Sequence, residues 1–190
     1  MHNISNSAQV KYSLDCLSEA LFHLMQNDRY QDISITEICQ HAHITRTTFY
    51  RNCDSKNDLV IYAIKKNVIE LLKSVPWSNE IYTPMYQNFF QFWYKRKDFL
   101  LTLKKQELFA SFYSIFTEVC VKELDLQPYN PMFKEENSEQ LTSLYRTSFI
   151  IGGLCNMLEK WCENNFETDI PILVGILLER VPAKYTKTQD

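Results

Sequence analysis

Apolar residues recur at three- and four-residue steps along most of the chain, and polar or proline-bearing breaks cut the recurrence into helix-sized lengths. Val10, Leu14, Leu17, Leu21, Leu24 and Met25 form the first stripe, which predicts an amphipathic helix from about Ser7 to Gln26, ended by Asn27-Asp28-Arg29. Ile35, Ile38, Cys39 and Ala42 mark a short second helix. Ser34 with Glu37 three residues on reads as its capping box, the hydroxyl accepting from a free amide while the glutamate reaches back. His43-Ile44-Thr45 breaks the pattern, and Thr45 can cap a third helix from Arg46 to about Asn52. Ser55 and Asp58 start a fourth, running toward Lys73 with Leu59, Ala63, Ile64, Val68, Leu71 and Leu72 inward. It should stop near Ser74, because Pro76 disfavours helix at the residue before it.

Beyond Val75-Pro76-Trp77-Ser78 the character changes. Tyr82 to Tyr94 predicts an aromatic-rich helix, and Leu100 to Glu123 a second and a third helical stretch. Gln127-Pro128-Tyr129-Asn130-Pro131 and the Lys134-Glu135-Glu136-Asn137 run make a loop. A long helix begins near Ser138 and a last one spans about Asp169 to Arg180, with Pro171 in its first turn. Three glycines and six prolines in 190 residues supply little turn material, which argues against sandwiches and barrels and for an all-α chain. A boundary at 75–76 separates residues 1–54 and a linking helix at 55–75 from a helical body at 76–190.

The long helix near the end is apolar nearly all round its middle. Leu141, Leu144, Tyr145, Ser148, Gly152, Cys155, Leu158 and Cys162 lie on one face, and Phe149, Ile150, Ile151, Leu154 and Met157 cover the rest. Such a helix is expected to be buried all round, and a second subunit is the simplest extra cover. Gly152-Gly153, costly inside a helix, fit a close helix approach. The expected homodimer interface is therefore Ile151, Gly152, Leu154, Cys155 and Leu158, completed by Leu173 and Leu177 of the last helix. The aromatics of the body allow two readings, bundle core or a polar-tipped chamber for a small-molecule effector. The second nominates Phe89, Trp93, Phe112, Tyr113, Phe116, Tyr145 and Phe149 as lining.

Charge narrows the function. At net −3 the protein is no general polyanion binder, so duplex binding would need a local patch, with Arg46, Arg51, Lys56, Lys65 and Lys66 as candidates. The six cysteines form no C-x-x-C pair and follow no basic-then-apolar leader, so they read as reduced, mostly buried thiols in a cytoplasm. No apolar run approaches the roughly 20 residues that span a bilayer, so no membrane partner is expected. Cys39 and His43 stand four apart without a second pair, and no metal or other cofactor is expected.

Thr45-Arg46-Thr47-Thr48-Phe49-Tyr50-Arg51 carries the functional signal. Phe49 must point inward, which leaves hydroxyls, guanidinium groups and a phenol outward. That surface suits a major groove, where arginine can fork onto guanine and a threonine methyl can touch thymine. A merely solvated helix would more often carry Glu and Lys. Double-stranded DNA is thus the expected partner, with base contacts by Arg46, Thr47 and Thr48 and phosphate contacts by Thr36, Thr45, Tyr50, Arg51 and Lys56.

The run from Tyr30 to Leu59 resembles the DNA-binding domain of tetracycline-repressor-like (TetR-family) transcriptional regulators. Ile35-Thr36-Glu37-Ile38, Thr48-Phe49-Tyr50-Arg51 and Ser55-Lys56-Asn57-Asp58-Leu59 carry the likeness. The resemblance implies that residues 1–54 are a helix-turn-helix domain and that 76–190 bind an effector and dimerise. It implies a homodimeric repressor on a near-palindromic operator, released by a small molecule where one binds. Two departures follow. The family's turn glycine is replaced by His43, so a non-glycine residue would take positive φ. The family's aromatic near the end of the recognition segment is replaced by Cys53, a smaller plug. Gly152-Gly153 through Phe166, with Trp161, resembles the body of a TetR-family subgroup common in Firmicutes and implies a four-helix dimer bundle.

Two rivals come from other classes. One is a helical adaptor that docks on a protein and no longer reads DNA. The other is a small enzyme, disfavoured because no Ser/His/Asp grouping or glycine-rich phosphate loop occurs and His2, His23, His41 and His43 all lie outside the body.

Overall fold

The computed structural model describes residues 2–75, 82–125 and 140–179, with side chains placed over 8–75, 83–123 and 148–179. Every regular element among them is a helix: α1 (His2–Leu24), α2 (Ile35–His41), α3 (Arg46–Asn52), α4 (Lys56–Ser74), α5 (Tyr82–Tyr94), α6 (Lys97–Lys105), α7 (Phe109–Asp125), α8 (Gln140–Glu163) and α9 (Ile170–Glu179). The fold is all-α, as the patterning predicts. α1 begins at His2 and not near Ser7. The expected break at Pro76, the loop from Gln127 to Asn137 and the ends at Ser138 and Arg180 lie outside the described residues.

Helix starts follow local chemistry. Glu37 N donates to Ser34 Oγ at 3.2 Å and Ser34 N donates to Glu37 Oε2 at 2.7 Å, which completes the box at α2. Hydrogen bonding from the Ser34 side chain and backbone holds the Glu37 carboxyl below its usual range. Asp58 Oδ2 accepts from the amides of Asp54 and Ser55 at 2.8 and 2.9 Å and so fixes the start of α4.

Among the described residues, helix ends use one device three times. After α2, Ile44 N donates to Cys39 O and His43 N to Gln40 O; after α6, Leu108 N donates to Leu103 O and Glu107 N to Lys104 O; after α8, Phe166 N donates to Trp161 O and Asn165 N to Cys162 O. Each is the paired-bond Schellman ending, which needs a left-handed residue just past the helix. His43 (φ 53°), Glu107 (φ 59°) and Asn165 (φ 48°) take that place.

The buried side chains form one continuous core from Leu17 in α1 to Val174 in α9. α4 packs on both α1 and α7, α8 lies against α6 and α7, and α5 meets α9. All six cysteines are free and all but Cys16 are buried. Burial pushes the Cys120 and Cys162 thiols up to about 12, so they are neutral packing groups. Among the described residues no helix is long and apolar enough to cross a membrane.

Two expectations about the body need correction. Ile151, Leu154, Cys155 and Leu158 are buried inside the subunit itself, where α8 packs on α6 and α7, and Leu173 is buried where α9 packs on α5. Leu177 packs partly buried against the same core, and a Cβ at Gly152 would lie 3.5 Å from Tyr113 Oη, also within the subunit. Among the described residues of α8 and α9 the large apolar positions left uncovered are Phe149 (83% exposed), Ile172 (56%) and Ile176 (47%), with open space around Gly153.

The aromatic chamber is the second correction. Trp93 and Phe112 stand 5.2 Å apart edge to face, Phe112 and Phe116 5.6 Å, and Phe89 and Phe116 6.3 Å, so these four fill space against one another as core. Tyr113 and Phe149 face outward, and the Tyr145 side chain lies outside the described residues. Within the cluster Trp93 Nε1 is buried and has no acceptor among the described residues.

Candidate nucleic-acid interface

α1 and α2 form the support on which α3 lies. Phe49, fully buried, is the peg that fixes the rotation of α3, and Ile38, Cys39 and Cys53 pack in the same core. Burial pushes the Cys53 thiol up to about 11, so this small plug is uncharged. With Phe49 inward, Arg46, Thr47, Tyr50 and Arg51 face solvent, and Tyr50 is 51% exposed. The Arg46 guanidinium sits 5.9 Å above the Tyr50 ring, which directs both outward as one cationic, aromatic surface. Thr36, on the first turn of α2, is exposed as well.

The two threonines at the start of α3 are coupled. Thr45 Oγ1 accepts from Thr48 N at 3.2 Å as the cap, and the two hydroxyl oxygens stand 3.0 Å apart. Each hydroxyl has one hydrogen, and one of the two is used between them. The pair therefore offers DNA a single outward proton, either from Thr45 toward a phosphate or from Thr48 toward a base edge, where the sequence expectation counted two.

Lys56 is the third correction. Its Nζ donates to Tyr30 O at 2.6 Å, Ile33 O at 2.7 Å and Gln31 O at 3.0 Å, and lies 4.7 Å above the Tyr30 ring. An ammonium has three donors, and all three are in use. Burial pulls its pKa below the usual lysine range, partly offset by Asp32 and Glu37. Lys56 is thus a clamp on the segment between α1 and α2, and the phosphate-anchoring role assigned to it would require that clamp to open.

The rest of the expected basic patch thins in the same way. Lys65 Nζ pairs with Glu118 at 3.0 Å, joining α4 to α7. Lys66 Nζ pairs with Asp15 Oδ1 at 2.7 Å, and Tyr62 Oη donates to the same oxygen at 2.9 Å, joining α4 to α1. Burial pushes the Asp15 carboxyl up, but these two bonds and the Lys66 charge outweigh it and hold the group below its usual range. Arg46 and Arg51 stand exposed at the surface beside the hydroxyls of α3.

The segment between α1 and α2 is held from a side that local sequence cannot reveal. Gln106, the residue that ends α6, accepts from Tyr30 N through Oε1 at 2.8 Å and donates through Nε2 to Met25 O at 2.6 Å and Asp28 O at 2.8 Å. Lys105 Nζ adds a bond to Gln26 O at 2.6 Å. These partners are more than seventy residues away in sequence. A second link on this support is His41 Nε2 to His23 Nδ1 at 2.9 Å, between α2 and α1. Cys39 is buried whereas His43 stands in the exposed turn, and among the described residues no three His, Cys, Asp or Glu side chains gather as a metal would need.

No family model matches the chain. No curated protein matches it either. Among solved structures, a chain described as "Dihydroxyacetone kinase operon activator DhaS" is similar, with a TM-score of 0.62 and 16% sequence identity over 91% of this chain and 96% of that one. At that identity the likeness establishes a common fold across nearly the full length of both.

Proposed function

We propose that the protein is a TetR-like DNA-binding transcriptional regulator that uses α3 as its recognition helix. One observation carries the reading: burial of Phe49 alone turns Arg46, Thr47, Tyr50 and Arg51 outward from a short helix preceded by a tight turn. Direct readout needs that composition, with a forked cation and methyl-bearing hydroxyls for base edges and further donors for phosphates. The similar solved structure is described as an operon activator, which supports a regulator in general.

Arg46 and Thr47 read bases, together with Thr48 when it holds the shared hydroxyl proton. Thr36, Tyr50 and Arg51 anchor phosphates, with Thr45 as the alternative donor. The protein acts as a homodimer through apolar positions left exposed on its last two helices, Phe149 on α8 and Ile172 and Ile176 on α9, so that two α3 helices reach successive major grooves of a near-palindrome. Occupancy of a promoter represses it. A small-molecule effector, where one binds the body, acts by favouring one separation of the two reading helices over another.

The test is duplex binding across a salt series with wild type and Arg46→Ala. We expect affinity that falls steeply with salt, and a loss of about 1–3 kcal/mol of base preference at one position in the variant. A protein-docking adaptor is the second reading, favoured by the pairing of Lys56, Lys65 and Lys66, which leaves a modest cationic surface. Its signature in the same assay would be no salt-dependent duplex binding at all.

A further inference from the structure

The carbonyls between α1 and α2 form a ladder that three side chains from other helices satisfy almost completely. Met25 O and Asp28 O take the Gln106 amide, Gln26 O takes Lys105, and Tyr30 O, Gln31 O and Ile33 O take Lys56. Arg29 O accepts from Asp32 N within the segment. These are the carbonyls that a helix end and its following turn leave without helical partners. Here α4 holds one half of the ladder and α6 the other.

The two halves differ in what they join. Lys56 begins α4, which directly follows α3 and packs on both α1 and α7, so its clamp ties the segment to the linking helix. Gln106 belongs to α6, which packs on α7 and α8. Its amide uses Oε1 and Nε2 together, in three bonds of 2.6–2.8 Å in two opposed directions. Hydrogen bonds are directional whereas apolar contact is not, so a three-bond amide fixes an angle that the neighbouring Phe22–Phe99 stack, 4.8 Å between centroids, leaves free to slide. The left-handed Glu107 turns the chain directly after Gln106 and ends α6 there, so the amide is carried on a rigid helix terminus.

We infer that Gln106 is a positioning residue for duplex recognition: by clasping the α1–α2 segment it fixes, together with the packing of α4 on α1 and α7, the angle between the α1–α3 support and the body, and so sharpens the half-site spacing that a dimer accepts. The inference rests on the DNA-reading role of α3. Gln106 touches no DNA, and its effect is on how sharply spacing is discriminated, while contact at a single half-site is untouched. Lys105 reinforces the clasp through one bond, so its removal acts in the same direction and more weakly.

The experiment uses the full chain. Wild type first selects a duplex from a random pool; that duplex is then remade with one or two base pairs added or removed between half-sites. Wild type, Gln106→Ala and Lys105→Ala are titrated against the series and against a single half-site, and amide hydrogen exchange at Tyr30 is followed in the free proteins. In Gln106→Ala we expect the affinity ratio between best and altered spacing to shrink by about 2- to 30-fold, the range of single-residue coupling effects. Single half-site affinity should stay unchanged and the Tyr30 amide should exchange faster. Lys105→Ala should flatten the spacing profile less. An unchanged profile in a folded Gln106→Ala protein would leave Gln106 as a fold contact only and overturn the inference. Failure of wild type to select any duplex would overturn the DNA reading itself, and this inference with it.

Discussion

Replacing Lys56 by Met separates two roles that cannot both be primary. The substitution keeps an apolar stem over Tyr30 and removes all three donors. Of the three carbonyls, those of Tyr30 and Ile33 are partly buried, while that of Gln31 is exposed and can turn to water. Orphaning a buried acceptor costs about 1–3 kcal/mol, to be taken at the low end for partly buried groups. Two such losses give about 2 kcal/mol, and the lost charge over the Tyr30 ring adds roughly 0.5 kcal/mol. At about 2–4 °C per kcal/mol for a chain of this size, Lys56→Met should melt ~5–10 °C below wild type. Thermal unfolding measures this, and duplex titrations between about 50 and 200 mM salt measure the other role. As a clamp, Lys56 contributes no counterion release, so the slope of log affinity against log salt should match wild type. An unchanged melting temperature with a slope reduced by about one would restore Lys56 as a phosphate anchor and refute the reasoning.

Three further outcomes are expected. Glycine at His43 or Glu107 relieves about 1–2 kcal/mol of left-handed strain and gives back about 0.5–1 kcal/mol in chain entropy, so urea midpoints should report a net gain of roughly 0.5–1 kcal/mol, with Asn165→Gly gaining least. Asp15→Asn should destabilise by about 1–2 kcal/mol near neutral pH, through the weakened bonds from Lys66 and Tyr62. Because the folded carboxyl titrates below its unfolded value, that contribution is present above the ordinary carboxylate range and lost as pH falls through the lowered one; wild type and variant should converge in acid, and a gap constant to about pH 2 would contradict the assignment. Ile176→Asp, at an exposed apolar position of α9, should yield a folded monomer by sedimentation, whereas Leu158→Asp, in the subunit core, should unfold the chain.

What was readable in the sequence was what local chemistry decides. Ser34 with Glu37, Thr45, and Ser55 with Asp58 mark helix starts because capping partners lie within four residues. Helix ends were harder. The usual punctuation is glycine, and the three Schellman endings place His43, Glu107 and Asn165 at the left-handed position instead. The first was anticipated only through a family resemblance that expects glycine there, and the break at Glu107 went unplaced within the Leu100–Glu123 stretch. The recognition surface was legible because one apolar residue, Phe49, sets the rotation of a short helix. α8 was not, since a helix apolar nearly all round gives no preferred direction from its own pattern; which side faces α6 and α7 is decided by the body. The same holds for Lys56 and Gln106. Each looks like a surface residue in its own neighbourhood, and each finds its partners across 23 to 81 residues of chain.

Whether α3 reads a duplex is decided by selection of purified protein against a pool of random double-stranded sequences. A duplex-reading α3 enriches a two-fold symmetric sequence, its half-sites centred about one helical turn apart or slightly more, bound with strong salt dependence. A pool that stays random through successive rounds, with only weak binding indifferent to salt, would contradict it.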